Sequence, residues 1–464
     1  MSRERIKSFV LVSLVMINFI LGAKILTDKK LWPYGYNFFI SLENSDILHA
    51  LTGSQDKKTA RANITKPEQI IVNTGDQTSR IAINPDDEIF QDIYTVTGDI
   101  LSDVLKNETK SISFAPKDEW VSVLNGKSVC LNFAIPYDTV LFGEFFGTDA
   151  SSLSAFVPSL SKIVIADNAL VYFEDYKTGD FYKTESTHSF SKLVSIINKS
   201  KNLYQNNNSI INYSVDLKFD EAFGSQKAVL SPTVAVYSTP VKMPILTAVN
   251  PLVNKNNGFD KEIIEKILSV FKINSNTVRR YPEADGTMVF VENDGILKIS
   301  PDGVIRYQST DSDGFSLNSD NTYIDTLTAL ADFADRLNNA CLTDSDLYIS
   351  QIPSSQNEKV TFDYRANGVP VKTEFKDYKN AVTAEIKNGA MTSYVHVLRK
   401  YISGTELYEI PGYIESLDAA IENYSHSMNN IEIQKMYISY IDDGSFSPKP
   451  ADWKTQVKSI VIEN

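Results

Sequence analysis

The stretch Phe9–Leu26, FVLVSLVMINFILGAKIL, constrains this chain more than any other. Only Ser13, Asn18 and Lys24 interrupt it with polar side chains. As a helix it would reach roughly 27 Å at about 1.5 Å per residue, enough to cross a bilayer's hydrocarbon core. Arg3, Arg5 and Lys7 precede it, with Glu4 as the one acid. The positive-inside rule keeps such a tail in the cytoplasm and sends everything after residue 26 to the outside. The competing reading is a signal peptide cut after Ala23. Leu21 then stands where a small residue is wanted, and Ile25 and Leu26 carry the apolar run past the cut, so an uncleaved anchor is expected. The reading is a cytoplasmic tail at 1–7, a membrane helix at 8–26 and a single-pass protein with an extracytoplasmic body in the cell membrane.

That body is large and acidic. The 464 residues carry a net charge of −13; removing Arg3, Arg5, Lys7 and Glu4, together +2, leaves −15 for the remainder. A negative surface disfavours nucleic acid and anionic headgroups as partners. The length exceeds what one core supports and predicts several domains. Two cysteines, Cys130 in SVCLNFAI and Cys341 in LNNACL, are too few for a disulfide framework and suit burial as free thiols. The sequons at Asn63 and Asn107 are ordinary in a chain this rich in asparagine.

After the apolar run, Trp32, Tyr34 and Tyr36 fit either the membrane interface or the first core. An N-terminal α+β domain is expected over 31–249. Asn84-Pro85 reads as a helix cap and first turn, followed by Phe90, Ile93, Tyr94, Ile100, Leu101, Val104 and Leu105 at helical spacing. Strands are predicted at Val129–Ile135, Lys162–Ala166 and Ala169–Asp175, and a helix at Phe190–Asn198. Val234–Val249 is strand-like but punctuated by Pro240 and Pro244, as an edge or a linker would be.

A second domain is expected over 250–318. Phe259–Phe271 is an amphipathic helix, and four short strands follow at Asn276–Tyr281, Thr287–Glu292, Gly295–Ser300 and Val304–Ser309. Asp285-Gly286, Asp294-Gly295 and Asp302-Gly303 supply the positive φ of tight hairpins between them. The order recurs over 319–464. A helix at Thr322–Asn339 precedes strands near Leu347–Ile352, Val360–Tyr364, Ala381–Lys387 and Met391–Tyr401. A further helix at Ile414–Ser427 precedes strands at Ile431–Tyr440 and Gln456–Ile462. The expected fold class is α+β: a transmembrane helix, then modules in which a helix covers an antiparallel meander.

Catalytic patterns are sparse. His49, His188, His396 and His426 show no metal-ligand spacing, and His396 within YVHVL reads as a structural histidine. There is no Gly-x-Ser-x-Gly elbow, phosphate loop or dinucleotide fingerprint. Ser309, Asp311, Asp313, Gly314 and Asp320 fall on calcium-loop positions, but the first lacks a carboxylate and the last has Asp for the bidentate Glu. A solvated loop capping the next helix at Asp320 is expected instead. Glu283/Asp285 and Asp442/Asp443 sit beside glycines, where turns favour Asp. No catalytic, cofactor or metal residue is assigned. Asn18 is different: an amide in mid-membrane gains about 0.6–2 kcal/mol from an interhelical hydrogen bond. Gly22 lies one turn on, on the same face, and permits close approach. Asn18 and Gly22 are the candidate contacts for a partner membrane helix.

Residues 250–309 carry the strongest resemblance to a known family. The opening Asn250-Pro251-Leu252, the helix after it, and the close Asp302-Gly303-x-x-x-Tyr307 resemble the YycH family. Its members are membrane-anchored regulators of the WalK (YycG) sensor kinase in low-GC Gram-positive bacteria. Looser likeness covers the anchor, the region Phe90–Phe146 and NGVPV at Asn367–Val371. The YycI family is similar in its C-terminal modules but shorter, so length favours YycH. One departure is Pro450-Ala-Asp-Trp453, where the family often has Pro-x-Trp. The resemblance implies three extracytoplasmic α+β domains and no enzyme activity. It also implies association with the kinase and a YycI-like sister protein, which tunes two-component signalling in cell-wall homeostasis. The alternative is an extracytoplasmic module that binds cell-wall polymer or a small ligand.

Overall fold

The fold is taken from a computed structural model. It describes residues 64–75, 80–106, 111–204, 211–216, 228–237, 239–253, 258–292, 294–310, 314–317, 322–341, 343, 345–353, 359–375, 377–414, 417 and 431–459. The tail, the apolar run with Asn18 and Gly22, Trp32, Tyr34 and Tyr36, and most of the helix expected at 414–427 lie outside these residues. Among the described residues no helix is long and apolar enough to cross a membrane.

The first part of the chain runs β1 (Gln69–Thr74), β2 (Arg80–Ile83), α1 (Phe90–Lys106), β3 (Ser113–Ala115), α2 (Lys117–Asn125) and β4 (Lys127–Asp138). It continues through α3 (Thr139–Phe145), α4 (Ser151–Ser154), β5 (Ser159–Ala166), β6 (Leu170–Asp175), β7 (Phe181–Glu185) and α5 (Ser191–Tyr204). The strands form one antiparallel sheet in the order β2-β1-β4-β5-β6-β7-β3. Its strands are apolar on both faces because both are covered. Ile70, Val72, Val129, Leu131, Ile163 and Ile165 pack under α1 and α5, while Ile71, Cys130, Val164 and Tyr172 pack with Trp120 and Leu124 of α2. Asn84-Pro85 does not start α1. Asp87 N–H donates to Asn84 O, and the Asp87 carboxylate takes Asn84 N–H, closing a turn that delays the helix to Phe90.

The second part begins with β8 (Ile211–Tyr213), β9 (Ala228–Leu230), β10 (Ala235–Tyr237) and β11 (Lys242–Val249), then α6 (Lys261–Val270). The meander is β12 (Arg279–Pro282), β13 (Met288–Val291), β14 (Gly295–Ile299) and β15 (Val304–Ser309), followed by β16 (Phe315–Ser316) and α7 (Tyr323–Ala340). Then come β17 (Asp346–Gln351), β18 (Lys359–Ala366), β19 (Val369–Thr373), β20 (Val382–Lys387), β21 (Ala390–Val397) and β22 (Lys400–Glu409). The chain closes with β23 (Ile431–Asp442) and β24 (Lys449–Ser459).

Thirteen of these strands make one sheet whose main path is β12-β13-β14-β15-β21-β20-β18-β19-β23-β24. Sequence expectation divides 250–318 from 319–464, yet β15 pairs with β21 and the hydrogen bonding is continuous across that boundary. The outer strand of a four-stranded meander leaves a row of unpaired backbone groups, which the later strand satisfies. Helices α6 and α7 pack together on one face of this sheet, joined by Phe271 and Phe333 with ring centroids 5.1 Å apart. Thr322 caps α7 by accepting Asp325 N–H. The same apolar cluster reaches Phe133 of β4 and Phe142 of α3, so the two sheets share a core. Pairing in the large sheet is antiparallel except at β19–β23 and β9–β23. The expectation of a mixed α+β architecture agrees with what is seen.

Candidate functional site

Between them the two sheets leave a cleft of about 1120 Å³, counting the open space at its mouth. Strands β4, β5 and β6 wall it on one side, β23 and β24 on the other, and the segment Ser231–Tyr237 lies between. Three of these strands lose register where they face it: β4 between Asn132 and Tyr137, β5 between Leu160 and Lys162, and β23 between Ile433 and Lys435. A regular strand points consecutive side chains to opposite faces, and an extra residue reverses that phase. In β23 the reversal is visible in the core. Ile433 is buried before the break and Met436, Ile438 and Tyr440 after it. Gln434 and Lys435 therefore both line the cleft. In β5 the same device brings Ser161 and Lys162 to the cleft together.

Both lysines that line the cleft are paired within it. Lys162 Nζ lies 3.0 Å from Glu174 Oε2 and donates to Thr233 Oγ1 at 2.6 Å. Glu174 accepts from Ser161 Oγ at 2.9 Å and Thr233 Oγ1 at 3.0 Å, a hydrogen-bonded carboxylate only 6% exposed. Lys435 pairs with Glu68 across the cleft, joining β23 to the first residues before β1. Asp175 holds a turn by accepting Ser159 N–H at 3.2 Å, Thr178 N–H at 3.1 Å and the Thr178 hydroxyl at 3.1 Å. Gln456 Nε2 donates to Tyr176 Oη at 3.0 Å, a second link between the sheets. Trp453 donates its indole N–H to Pro411 O at 3.1 Å, and its ring centroid is 5.9 Å from that of Tyr237. Gln434 Oε1 is buried and has no hydrogen-bond partner among the described residues.

None of these cleft residues stands out in the sequence as a site. The available signal was a lysine inside an apolar strand, Lys162 in LSKIVIA, and an acid ending another, Glu174 in LVYFED. Both predict buried partners, because an unpaired interior charge is strongly disfavoured.

The residues singled out from sequence lie elsewhere. His396 is fully buried between Tyr364 Oη, 2.8 Å from Nε2, and Tyr394 Oη, 3.0 Å from Nδ1. Tyr364 also donates to Asn338 Oδ1 at 3.3 Å, so its oxygen accepts from Nε2–H and Nδ1 accepts from Tyr394. Burial depresses the imidazole to a pKa of about 3, which makes it a neutral structural histidine. The acids beside glycine divide. Asp285 and Asp443 bind nearby backbone N–H groups in turns, at Thr287 and Ser445. Asp442 does not lie in a solvated turn. It is 1% exposed, 3.2 Å from Arg399 Nε, and accepts the Tyr401 hydroxyl at 2.8 Å. Ser309 Oγ donates to Asp294 O, while Asp311, Asp313 and Asp320 lie outside the described residues. Among the described residues no cluster of His, Cys, Asp and Glu has the arrangement of a metal site. Cys130 and Cys341 are free and buried.

No family profile matches the chain, and no curated protein matches it by sequence. Among solved structures it is similar to YycH from Bacillus subtilis. The likeness covers 86% of this chain and 95% of that one, with a TM-score of 0.52 and 13% sequence identity. The chain therefore has a YycH-like fold.

Proposed function

We propose that this chain is a non-enzymatic, membrane-anchored extracytoplasmic regulator. In this reading it associates with a sensor histidine kinase of the WalK (YycG) type and a YycI-like sister protein, and tunes two-component signalling in cell-wall homeostasis. The observation that carries it is the YycH-like fold over 86% of the chain. The anchor reading of Phe9–Leu26 supports it, since the basic tail places the folded body outside. Asn18 and Gly22 then form a contact face for a partner's membrane helix. Such a contact shifts the kinase only through unequal affinity for its two states.

The test is co-purification of the full chain with the kinase and the sister protein, alongside expression of the kinase's target genes. Absence of both partners from the purified complex overturns the reading. Replacing Phe9–Leu26 by an unrelated membrane helix is expected to weaken both association and regulation, and Asn18→Leu to weaken regulation with the body still folded. Full retention in both variants removes the helix-contact part. A second reading, an extracytoplasmic binding module, is favoured by one specific observation, the walled cleft.

A further inference from the structure

We infer that the cleft between the seven- and thirteen-stranded sheets is a binding site for a neutral, hydroxyl-rich ligand with one or two sugar rings. Its walls come first. Breaks in β4, β5 and β23 each forgo regular ladder pairing, and all three fall where the strand faces the same space. Bulges recur beside binding sites because they re-aim side chains. Here they bring the consecutive polar pairs Ser161-Lys162 and Gln434-Lys435 to one cleft.

The polar inventory then selects the ligand. Lys162 is matched by Glu174 and Lys435 by Glu68, while Asp175 is engaged in its own turn. An anionic ligand would have to draw Lys162 or Lys435 out of an ion pair already made, whereas a neutral one need not. Among the described residues Gln434 Oε1 is a buried acceptor without a donor, which destabilises the free protein and is relieved by a ligand hydroxyl. Trp453, with its N–H committed to Pro411, has only its ring to offer. Beside Tyr237 it forms an aromatic wall suited to the C–H face of a sugar ring. This inference is independent of any kinase partner, because it concerns what the purified chain binds.

The test uses the full chain in a sugar-free zwitterionic detergent. Cellobiose, chitobiose and maltose are titrated by calorimetry, with trialanine and glucose 6-phosphate as contrasts. At least one disaccharide is expected to bind saturably, and more tightly than either contrast. Gln434→Leu is expected to weaken it tenfold or more while its Tm equals or exceeds that of the unaltered chain, since the variant removes an unsatisfied acceptor. Trp453→Phe, which keeps an aromatic ring, is expected to weaken it severalfold and serves as the second variant. Failure of all three disaccharides, tighter binding of trialanine or the phosphate, or sugar affinity unchanged in both variants would overturn the inference.

Discussion

Replacing Lys435 by methionine removes one half of the ion pair that joins β23 to Glu68 across 367 positions of sequence. Glu68 is only 8% exposed and Lys435 23%, so the carboxylate left behind stays in the seam with little access to water. Breaking a buried pair from one side costs about 3–5 kcal/mol; the partial exposure of Lys435 places this one near the lower end, about 3 kcal/mol. Removing both charges is another matter. In Glu68→Gln/Lys435→Met the desolvation of two ions disappears along with their attraction, and the net change is expected to be within about 1 kcal/mol. The double-mutant cycle should thus show a coupling of roughly 2 kcal/mol or more. Urea unfolding followed by tryptophan fluorescence and by far-UV circular dichroism measures it, with coincident transitions as the check on two-state behaviour. A shift of less than about 0.5 kcal/mol in Lys435→Met alone, or a double variant that loses the sum of the single losses, would refute the buried-pair assignment.

Three further outcomes are open to measurement. The His396 imidazole is held neutral down to about pH 3, while in the unfolded chain it takes a proton near 6.5. Stability from this group is complete above pH 6.5 and falls by about 1.4 kcal/mol per pH unit on acidification. His396→Gln should flatten that slope between pH 6.5 and 4.5, and equal slopes would count against the assignment. Burial, and then Asp332 and Asp346, raise the half-buried Asp335 to about 7 from 3.8. Its sign is opposite: the stability is present at low pH and lost as pH rises through 7. The Tm advantage of Asp335→Asn should widen from pH 4 to pH 7 and level off above. Finally, a Cβ at Gly295 would stand 2.5 Å from the Tyr307 ring, which packs on Phe271 and Phe315. Gly295→Ala should cost about 1–3 kcal/mol, read as a lowered urea midpoint.

Local elements were legible where their pattern was periodic. The helix with Ile263, Ile267 and Leu268 inward and the four-strand meander follow directly from spacing; Gly286 and Gly303 have the expected positive φ, whereas Gly295 does not and instead opens β14. What spacing could not reveal was which strand meets which. The β15–β21 pairing depends on satisfying a sheet edge about 90 residues away in sequence, and no local pattern encodes that. Asn84-Pro85 has the composition of a helix start, but the Asn84 amide oxygen accepts from Gln69 and the Asp87 carboxylate closes a turn on Asn84 N–H. The cleft was hidden for a related reason. Gln434 looks like an ordinary polar position in an alternating strand until an extra residue changes which face it occupies. Lys435 gives no sign of its partner, since Glu68 belongs to the opposite end of the folded chain.

The parallel pairing around β23 carries a consequence for how the protein comes to exist. Residues 431–433 pair with 228–230, and 440–442 with 371–373, so β23 closes loops of very different length in one step. Closing long loops precedes the reward of the contacts they allow, and chains dominated by such contacts fold slowly. Synthesis delivers the seven-stranded sheet first, and it can form from its own strands. The opposite wall of the cleft is made of the segments delivered late. A nascent chain thus passes through an interval in which half of the cleft exists and Glu68 has no lysine to meet. The cleft is complete once β23 and then β24, with Trp453, have arrived, and the capacity to hold a ligand between the sheets begins at that moment.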